Sequence, residues 1–318
     1  MLTLFIIASL ASPFVYSYMQ LFGFAGQIRN LDYPPEWYEI RASIDQDASD
    51  YKILILPWHL YMHQSWVGRK IANPAPSFFD KPFLAGENME WGGIETQSTN
   101  LEQFYVQLLL NNRIRVKDFG NLLAPLNIKY IVLLKELDYR EYDFLYNQTD
   151  LSVVNENEMV TLFENQHETS KFYMVNDVRN VTDWSRLIDI SSTEDLLSHL
   201  YFIGQENASA STSVQSYEFL NYREISPVEY EVDAPGKGYV IFSDFYDSNW
   251  ASNNEIPVSN LGLSNAFYVD EPGPVRIIYQ RFSRLTPYYL ISTISFIASI
   301  TVLIIKTKRQ KGIKIKIQ

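Results

Sequence analysis

The chain has 318 residues, with 26 basic against 37 acidic side chains and a formal net charge of −11. That length leaves room for two compact domains, and that charge excludes a surface drawn electrostatically to nucleic acid. The absence of cysteine excludes thiol catalysis and cysteine metal sites, while the 22 tyrosines and 19 phenylalanines suit sheet interiors and sugar stacking alike.

Residues 1–27 carry no charge, and 2–24 are mostly apolar. An uncleaved membrane span and a cleaved secretory signal both fit. Ala8, Ala11 and Ser12 offer small residues for cleavage, but nothing basic precedes them and the run is longer than a signal needs. Either reading exports the middle of the chain. Residues 29–50 form a polar approach in which Pro34-Pro35 prevents helix continuation. Residues 52–56 are an apolar strand ending at Pro57-Trp58. A helix is predicted over 99–111, with Thr99 and Glu102 as a capping box and Leu101, Tyr105, Leu108 and Leu109 on one face. A second short helix over 116–124 stops at Pro125, and 129–134 is a second buried strand. Two apolar strands separated by helices predict a small parallel α/β layer.

Residues 151–154 and 159–163 flank Asn155-Glu156-Asn157-Glu158 and read as a hairpin. A strand over 171–175, a helix over 192–201 and a polar loop over 205–213 come next. Val228, Tyr230 and Val232 alternate with Glu229 and Glu231, the pattern of a half-buried strand. Further strands are expected over 239–245, 266–269 and 275–282, with Pro/Gly turns between them, which predicts a sandwich. Residues 287–305 carry no charge and suffice to cross a bilayer, which needs about 20 apolar residues. Lys306, Lys308, Arg309, Lys311, Lys314 and Lys316 follow at once. Basic residues beside a span stay cytoplasmic, so the C-terminus is expected inside and the acidic body outside.

The expected class is α+β: a membrane-anchored ectodomain with a small α/β layer, then an antiparallel β-sandwich, flanked by N- and C-terminal transmembrane helices. The expected divisions are a span or signal anchor (1–28), an extracytoplasmic α/β domain (29–150), a hairpin and helix extension (151–213), a sandwich (214–285), a span (286–305) and a basic cytoplasmic tail (306–318).

Six runs carry a resemblance. Gly238-Tyr-Val-Ile-Phe-Ser-Asp-Phe-Tyr-Asp-Ser-Asn-Trp250, Asn265-Ala-Phe-Tyr-Val and Pro272-Gly-Pro-Val-Arg-Ile-Ile-Tyr279 resemble the C-terminal exported sandwich of YfhO-like membrane proteins, which are of the GT-C glycosyltransferase type. Leu126-Asn-Ile-Lys-Tyr-Ile-Val132 and Phe163-Glu-Asn165 resemble the stretch before that sandwich, and the segment from Ile53-Leu-Ile-Leu-Pro-Trp58 through Asn73-Pro74 to Glu95 resembles the exported α/β part of archaeal relatives. The resemblance implies a relation to enzymes that use a lipid-linked sugar donor and a catalytic acid in an early loop of a multi-span bundle. This chain has room for one span before its exported part, so no residue here inherits that acid. It resembles the C-terminal portion alone, as a split partner or a truncated product.

The long connection 58–97 is where function is expected. It comes after a buried strand and far exceeds the usual loop length. Trp58, His59, Trp66, Asp80, Glu87, Glu90, Trp91 and Glu95 are its candidate ligand-binding residues: aromatics to stack on sugar faces, acids to hold hydroxyls. The competing reading is a loop packed over the sheet by its own aromatics. Glu87 with Glu90, or Glu90 with Glu95, form candidate carboxyl pairs for glycoside hydrolysis, which needs a separation of about 5 to 10 Å. His59 and His63 have the spacing of one helical face but lack a third ligand, so no metal is expected. His167 and His199 are expected to be isolated and exposed. Asn147, Asn180 and Asn207 begin glycosylation acceptor sequences. No phosphate loop, nucleophile elbow or dinucleotide fingerprint is present, and no cofactor is expected. The partners implied are the lipid bilayer, a polytopic glycosyltransferase subunit and a glycan or glycoprotein acceptor. A stand-alone glycan-acting enzyme and a structural envelope protein are the alternatives.

Overall fold

A computed structural model describes residues 2–21, 23–26, 32–88, 90–91, 94–95, 98–205, 217–253 and 255–315. Helices α1 (Leu2–Leu21), α2 (Gly23–Gly26) and α3 (Pro35–Asp45) lead to strands β1 (Lys52–Leu56), β2 (Tyr61–Gln64) and β3 (Arg69–Ala72). Helix α4 (Ala75–Phe78), strands β4 (Phe83–Leu84), β5 (Glu90–Trp91) and β6 (Ile94–Glu95), and helices α5 (Leu101–Asn111) and α6 (Phe119–Leu123) come next, then β7 (Ile128–Leu134). After a 3-10 segment (Tyr139–Asn147) come β8 (Leu151–Glu156), β9 (Val160–Asn165), β10 (Phe172–Val175), β11 (Asp177–Val181), α7 (Trp184–Ile190) and β12 (His199–Ile203). The last part holds β13 (Tyr217–Phe219), β14 (Tyr222–Ser226), β15 (Glu229–Ala234), β16 (Gly238–Phe245), β17 (Trp250–Ser252), β18 (Val258–Asn260), β19 (Ser264–Val269) and β20 (Gly273–Tyr279). Helix α8 (Arg281–Ile315) ends the chain.

The first sheet has the order β4-β1-β7-β9-β8, parallel from β4 to β7 and antiparallel from there on. Side chains alternate across a strand, so a wholly apolar strand must be covered on both faces. Leu54, Leu56, Ile131 and Leu133 bury against Tyr105, Val106 and Leu109 of α5 and the α6 residues Phe119, Leu122 and Leu123. Ile53, Ile55, Tyr130, Val132 and Leu134 bury on the opposite face with Trp37, Ile40 and Ile44 of α3. The predicted hairpin β8–β9 exists, and it extends this same sheet across the division expected at 150.

Two antiparallel sheets come after it, β13-β10-β16-β19-β18 and β14-β15-β20-β17. Both contribute to one buried cluster. Phe172, Val240, Phe242 and Phe267 come from the first, and Tyr230, Val232, Trp250, Val275 and Ile277 from the second. Trp250 meets Phe242 edge-on at 4.9 Å, and Phe172 stacks on Phe242 at 4.7 Å. Trp250 thus fills the space between the two sheets. Strand β10 lies beside β16 although it precedes the boundary expected at 214.

Three local expectations differ from the structure, the first being that the polar approach 29–50 holds helix α3, which starts at Pro35, where the missing N–H of proline costs no helix bond. Residues 192–201 are not a helix: β12 begins at His199 and pairs in parallel with β11, and the nearby helix is α7, whose first turn is capped by Asp183 accepting from the Ser185 N–H at 2.8 Å. The cap of α5 is Asn100, which accepts from the Glu102 N–H at 2.8 Å; Thr99 is not used. Glu102 instead turns inward to Lys52. Among the described residues one helix is long and apolar enough to cross a membrane, over Leu285–Ile305 of α8.

Lys52 joins the two halves. Its Nζ lies 3.1 Å from Glu102 Oε1 at the start of α5 and 3.3 Å from Asp244 Oδ1 near the end of β16. Burial pushes the ammonium toward neutrality, and the two carboxylates outweigh burial and hold its pKa above the ordinary value. A second tie lies beside it: Asp50 Oδ2 accepts from Lys171 Nζ at 2.9 Å and from the Tyr222 hydroxyl at 2.8 Å. Removing one partner of a buried pair costs about 3–5 kcal/mol, whereas replacing both by apolar groups is often neutral. Lys52→Met is therefore expected to lower the unfolding temperature in mild detergent by several degrees. Adding Glu102→Leu to it should recover most of the loss in the same thermal scan.

Candidate functional site

Because β1, β4 and β7 are parallel, their carboxyl ends open on one edge of the sheet, where ligands of α/β layers bind. Three exits meet there: Pro57-Trp58-His59 after β1, Ala85-Gly86-Glu87 after β4, and Lys135-Glu136-Leu137-Asp138 after β7. The first two touch. A Cβ on Gly86 would lie 2.6 Å from the Trp58 carbonyl carbon and 2.7 Å from the His59 nitrogen, so a side chain there would force those exits apart.

The polar groups of the exits are aimed at one another. The Trp58 N–H donates to the Tyr142 hydroxyl at 2.8 Å, and burial pushes that phenol's pKa up. His59 Nε2 and Asp138 Oδ2 are 3.0 Å apart. Burial by itself would raise the Asp138 carboxyl, but the hydrogen bond and charge of His59 outweigh it and hold the pKa below the usual carboxylate range. Glu136 turns the other way and accepts from the Ser65 N–H at 3.0 Å and its hydroxyl at 2.6 Å. Leu137 between the two acids has φ 51° and is exposed, a conformation that costs a leucine about 1–2 kcal/mol. Such strain is kept where the surroundings hold it, often at functional sites.

Around these exits three buried polar atoms have no partner among the described residues: Trp58 Nε1, Gln103 Oε1 and Asp138 Oδ1. Gln103 belongs here because its Nε2 donates to the Ala85 carbonyl at 2.7 Å. One donor and two acceptors are thus left over at this edge, and since buried polar atoms are nearly always paired, they mark it as the candidate site.

The residues proposed from the sequence divide between places. Trp58, His59 and Glu87 lie on the exits, Glu87 exposed and accepting from the Ser98 hydroxyl at 2.9 Å. Trp66 lies on the α3 side, 5.6 Å from Tyr33 and 6.1 Å from Trp37, its indole N–H donating to Gln64 Oε1 at 3.1 Å. Asp80 is exposed and paired with Arg41. Trp66, Phe78 and Phe79 thus pack as the loop's own aromatics. Glu90, Trp91 and Glu95 lie on a small hairpin that pairs Glu90 with Glu95; their side chains lie outside the described residues.

His63 is exposed on β2, so it shares no helical face with His59. Among the described residues no group of three or more His, Cys, Asp or Glu is placed to hold a metal ion. His167 and His199 are not isolated and exposed as expected. His167 Nε2 is 3.7 Å from Asp150, and His199 is half-buried with its ring 5.6 Å from Tyr201. Asn147 is exposed and Asn180 half-buried, while Asn207 lies outside the described residues. Sequence reasoning missed Asp138, Glu136, Tyr142 and Gln103. The signal was available for the two acids: they come just after an apolar strand, as Trp58 does, and parallel strands open their exits at the same edge.

No family model and no curated protein matches the chain. Among solved structures the chain is similar to single-particle cryo-EM structures of the arabinofuranosyltransferase AftD from Mycobacteria. One is at 8% identity and a TM-score of 0.40 over 78% of this chain and 30% of that chain. A second, of a point mutant, is at 9% identity and 0.41 over 87% and 34%. The chain spans about a third of the length of these proteins.

A carboxylate whose pKa is lowered on folding stabilises above its unfolded value and loses that contribution as pH falls toward the folded one. Asp138→Asn is expected to be less stable than the parent near neutrality, with the gap closing below about pH 4. Paired denaturation curves at several pH values check this.

Proposed function

We propose that the chain is a membrane-anchored, extracytoplasmic protein that acts as a non-catalytic partner, or C-terminal portion, of a GT-C-like membrane glycosyltransferase. Its task is to hold a glycan or a glycoprotein acceptor at the outer face. The observation that carries this reading is the edge where β1, β4 and β7 end, which holds the His59–Asp138 pair and the unpartnered polar atoms of Trp58, Gln103 and Asp138. The sequence runs that resemble YfhO-like proteins point to the same class. In this reading the two antiparallel sheets form the sandwich of that class, residues 1–28 and 286–305 cross the bilayer, and the basic tail 306–318 is cytoplasmic. The donor chemistry belongs to the partner's multi-span bundle.

Two measurements test it. The full chain in nanodiscs is expected to bind neutral cell-surface glycans on an array, and His59→Gln to weaken binding about tenfold, the loss of one charge-assisted hydrogen bond. Affinity purification of the tagged chain from its own membranes in mild detergent is expected to bring along a multi-span protein. A chain that binds no glycan, and purifies alone, contradicts the proposal.

A further inference from the structure

One residue, Gln280, separates the end of β20 from the start of α8, whose stretch Leu285–Ile305 is long and apolar enough to cross a membrane. The joint is held on every side. The Tyr279 N–H donates to the Val228 carbonyl at 2.9 Å, the Gln280 N–H to the Asn249 carbonyl at 2.8 Å, and the Tyr279 hydroxyl to Asp247 Oδ2 at 2.7 Å. The Tyr279 ring meets Trp250 edge-on at 5.1 Å. At about 1.5 Å per residue, residues 281–284 carry the chain about 6 Å. The headgroup layer on one side of a bilayer is about 5–8 Å deep, the difference between the full thickness and the hydrocarbon core. With α8 crossing a bilayer along its normal and Leu285 at the hydrocarbon boundary, Tyr279 would stand at the outer limit of the headgroups.

Whatever shares that end of the two sheets stands there too. The turn from β14 to β15 does, because Ser226 pairs with Glu229 and Glu229 with Ile278. So does the connection from Phe245 to β17, because Trp250 pairs with Tyr279. Both expose apolar side chains. Ile225, 46% exposed, sits where the β14–β15 register shifts, and a bulge of this kind re-aims its side chain. Phe245 is 39% exposed and Pro227 is exposed, with Val228 and Tyr246 half-buried beside them.

We propose that this end of the second sheet pair rests on the bilayer, with Ile225, Pro227 and Phe245 in the headgroup layer. The proposal rests on the anchoring role assigned to α8 under the proposed function. The occupant is a zwitterionic lipid surface. Asp247 accepts from Tyr279 and Asn249 and keeps its negative charge, which Arg281 beside it offsets, and the exposed acid Glu224 disfavours anionic lipid. Body and membrane then meet in one orientation set by the joint, and the ligand edge of the first sheet is held at a set place relative to the membrane.

The chain has no native cysteine, so single labels are unambiguous. Ile225→Cys, Phe245→Cys, Ile297→Cys in the span and Glu271→Cys beyond the far end of β20 each receive an environment-sensitive fluorophore. Each full-length variant is placed in phosphatidylcholine nanodiscs with a lipid-borne quencher. Labels at 225 and 245 are expected to shift to the blue and be quenched about twofold or more beyond the label at 271, as for side chains about 5–10 Å into the interface. If 225 and 245 behave like 271 while 297 is quenched, the anchor stands and the contact proposed here is wrong. If 297 is not quenched either, the anchoring itself fails and takes the proposal with it.

Discussion

The buried ammonium of Lys52 is the constraint on which the rest of the arrangement turns. It opens the first parallel strand, yet its two carboxylates come from the helix that covers that strand and from the central strand of the next sheet. An unpaired charge at that depth is costly, so the three elements must come together or none is satisfied. The neighbouring Asp50, Lys171 and Tyr222 repeat the logic a few residues away. Apolar packing continues it: Leu261 and Leu263, which lie between β18 and β19, bury in the same cluster as the α5 and α6 residues that cover β1. Thus the α/β layer and the antiparallel sheets form one body.

The proposed function turns on two ends of that body. One is the edge where the parallel strands stop: three exits that are far apart in sequence emerge side by side, and Gly86 lets two of them touch. The other is the joint at Tyr279 and Gln280, which passes the chain into α8 without slack. Under the proposed function, rigidity between the two has a use. A glycan held at one place relative to a membrane can be offered repeatedly to a lipid-linked donor at that membrane without a search over orientations, the advantage that positioning provides.

Much of this was legible in the sequence, and the limits have physical causes. Strands β1 and β7 were readable because both faces are covered, leaving unbroken apolar runs such as Ile53 to Leu56. Strand β15 was readable from the alternation of Tyr230 and Val232 with glutamates. The hairpin β8–β9 was readable from its turn, but not its sheet, because pairing with β7 is a long-range fact that no local pattern carries. Residues 192–201 read as a helix because Ser192 and Asp195 stand at capping distance, whereas in the fold Leu200 and Tyr201 are strand residues buried in the clusters they join. Glu102 imitated a capping box for the same reason: an acid at a helix start has a local use, and only the fold reveals Lys52 as its partner. At the candidate site, Trp58 and His59 were visible as the exit of a strong strand. Asp138 was not, since it gains meaning only when β7 lies parallel to β1.

The central claim is that the acidic body lies outside the cell and the lysine-rich end inside. The measurement that tests it most directly is labelling of intact cells with a membrane-impermeant maleimide, using the exposed position of Asp80→Cys for the body and Gln310→Cys for the tail. The account predicts that the body cysteine reacts in intact cells and the tail cysteine only after permeabilisation. A tail that reacts from outside, with a body that does not, would contradict it.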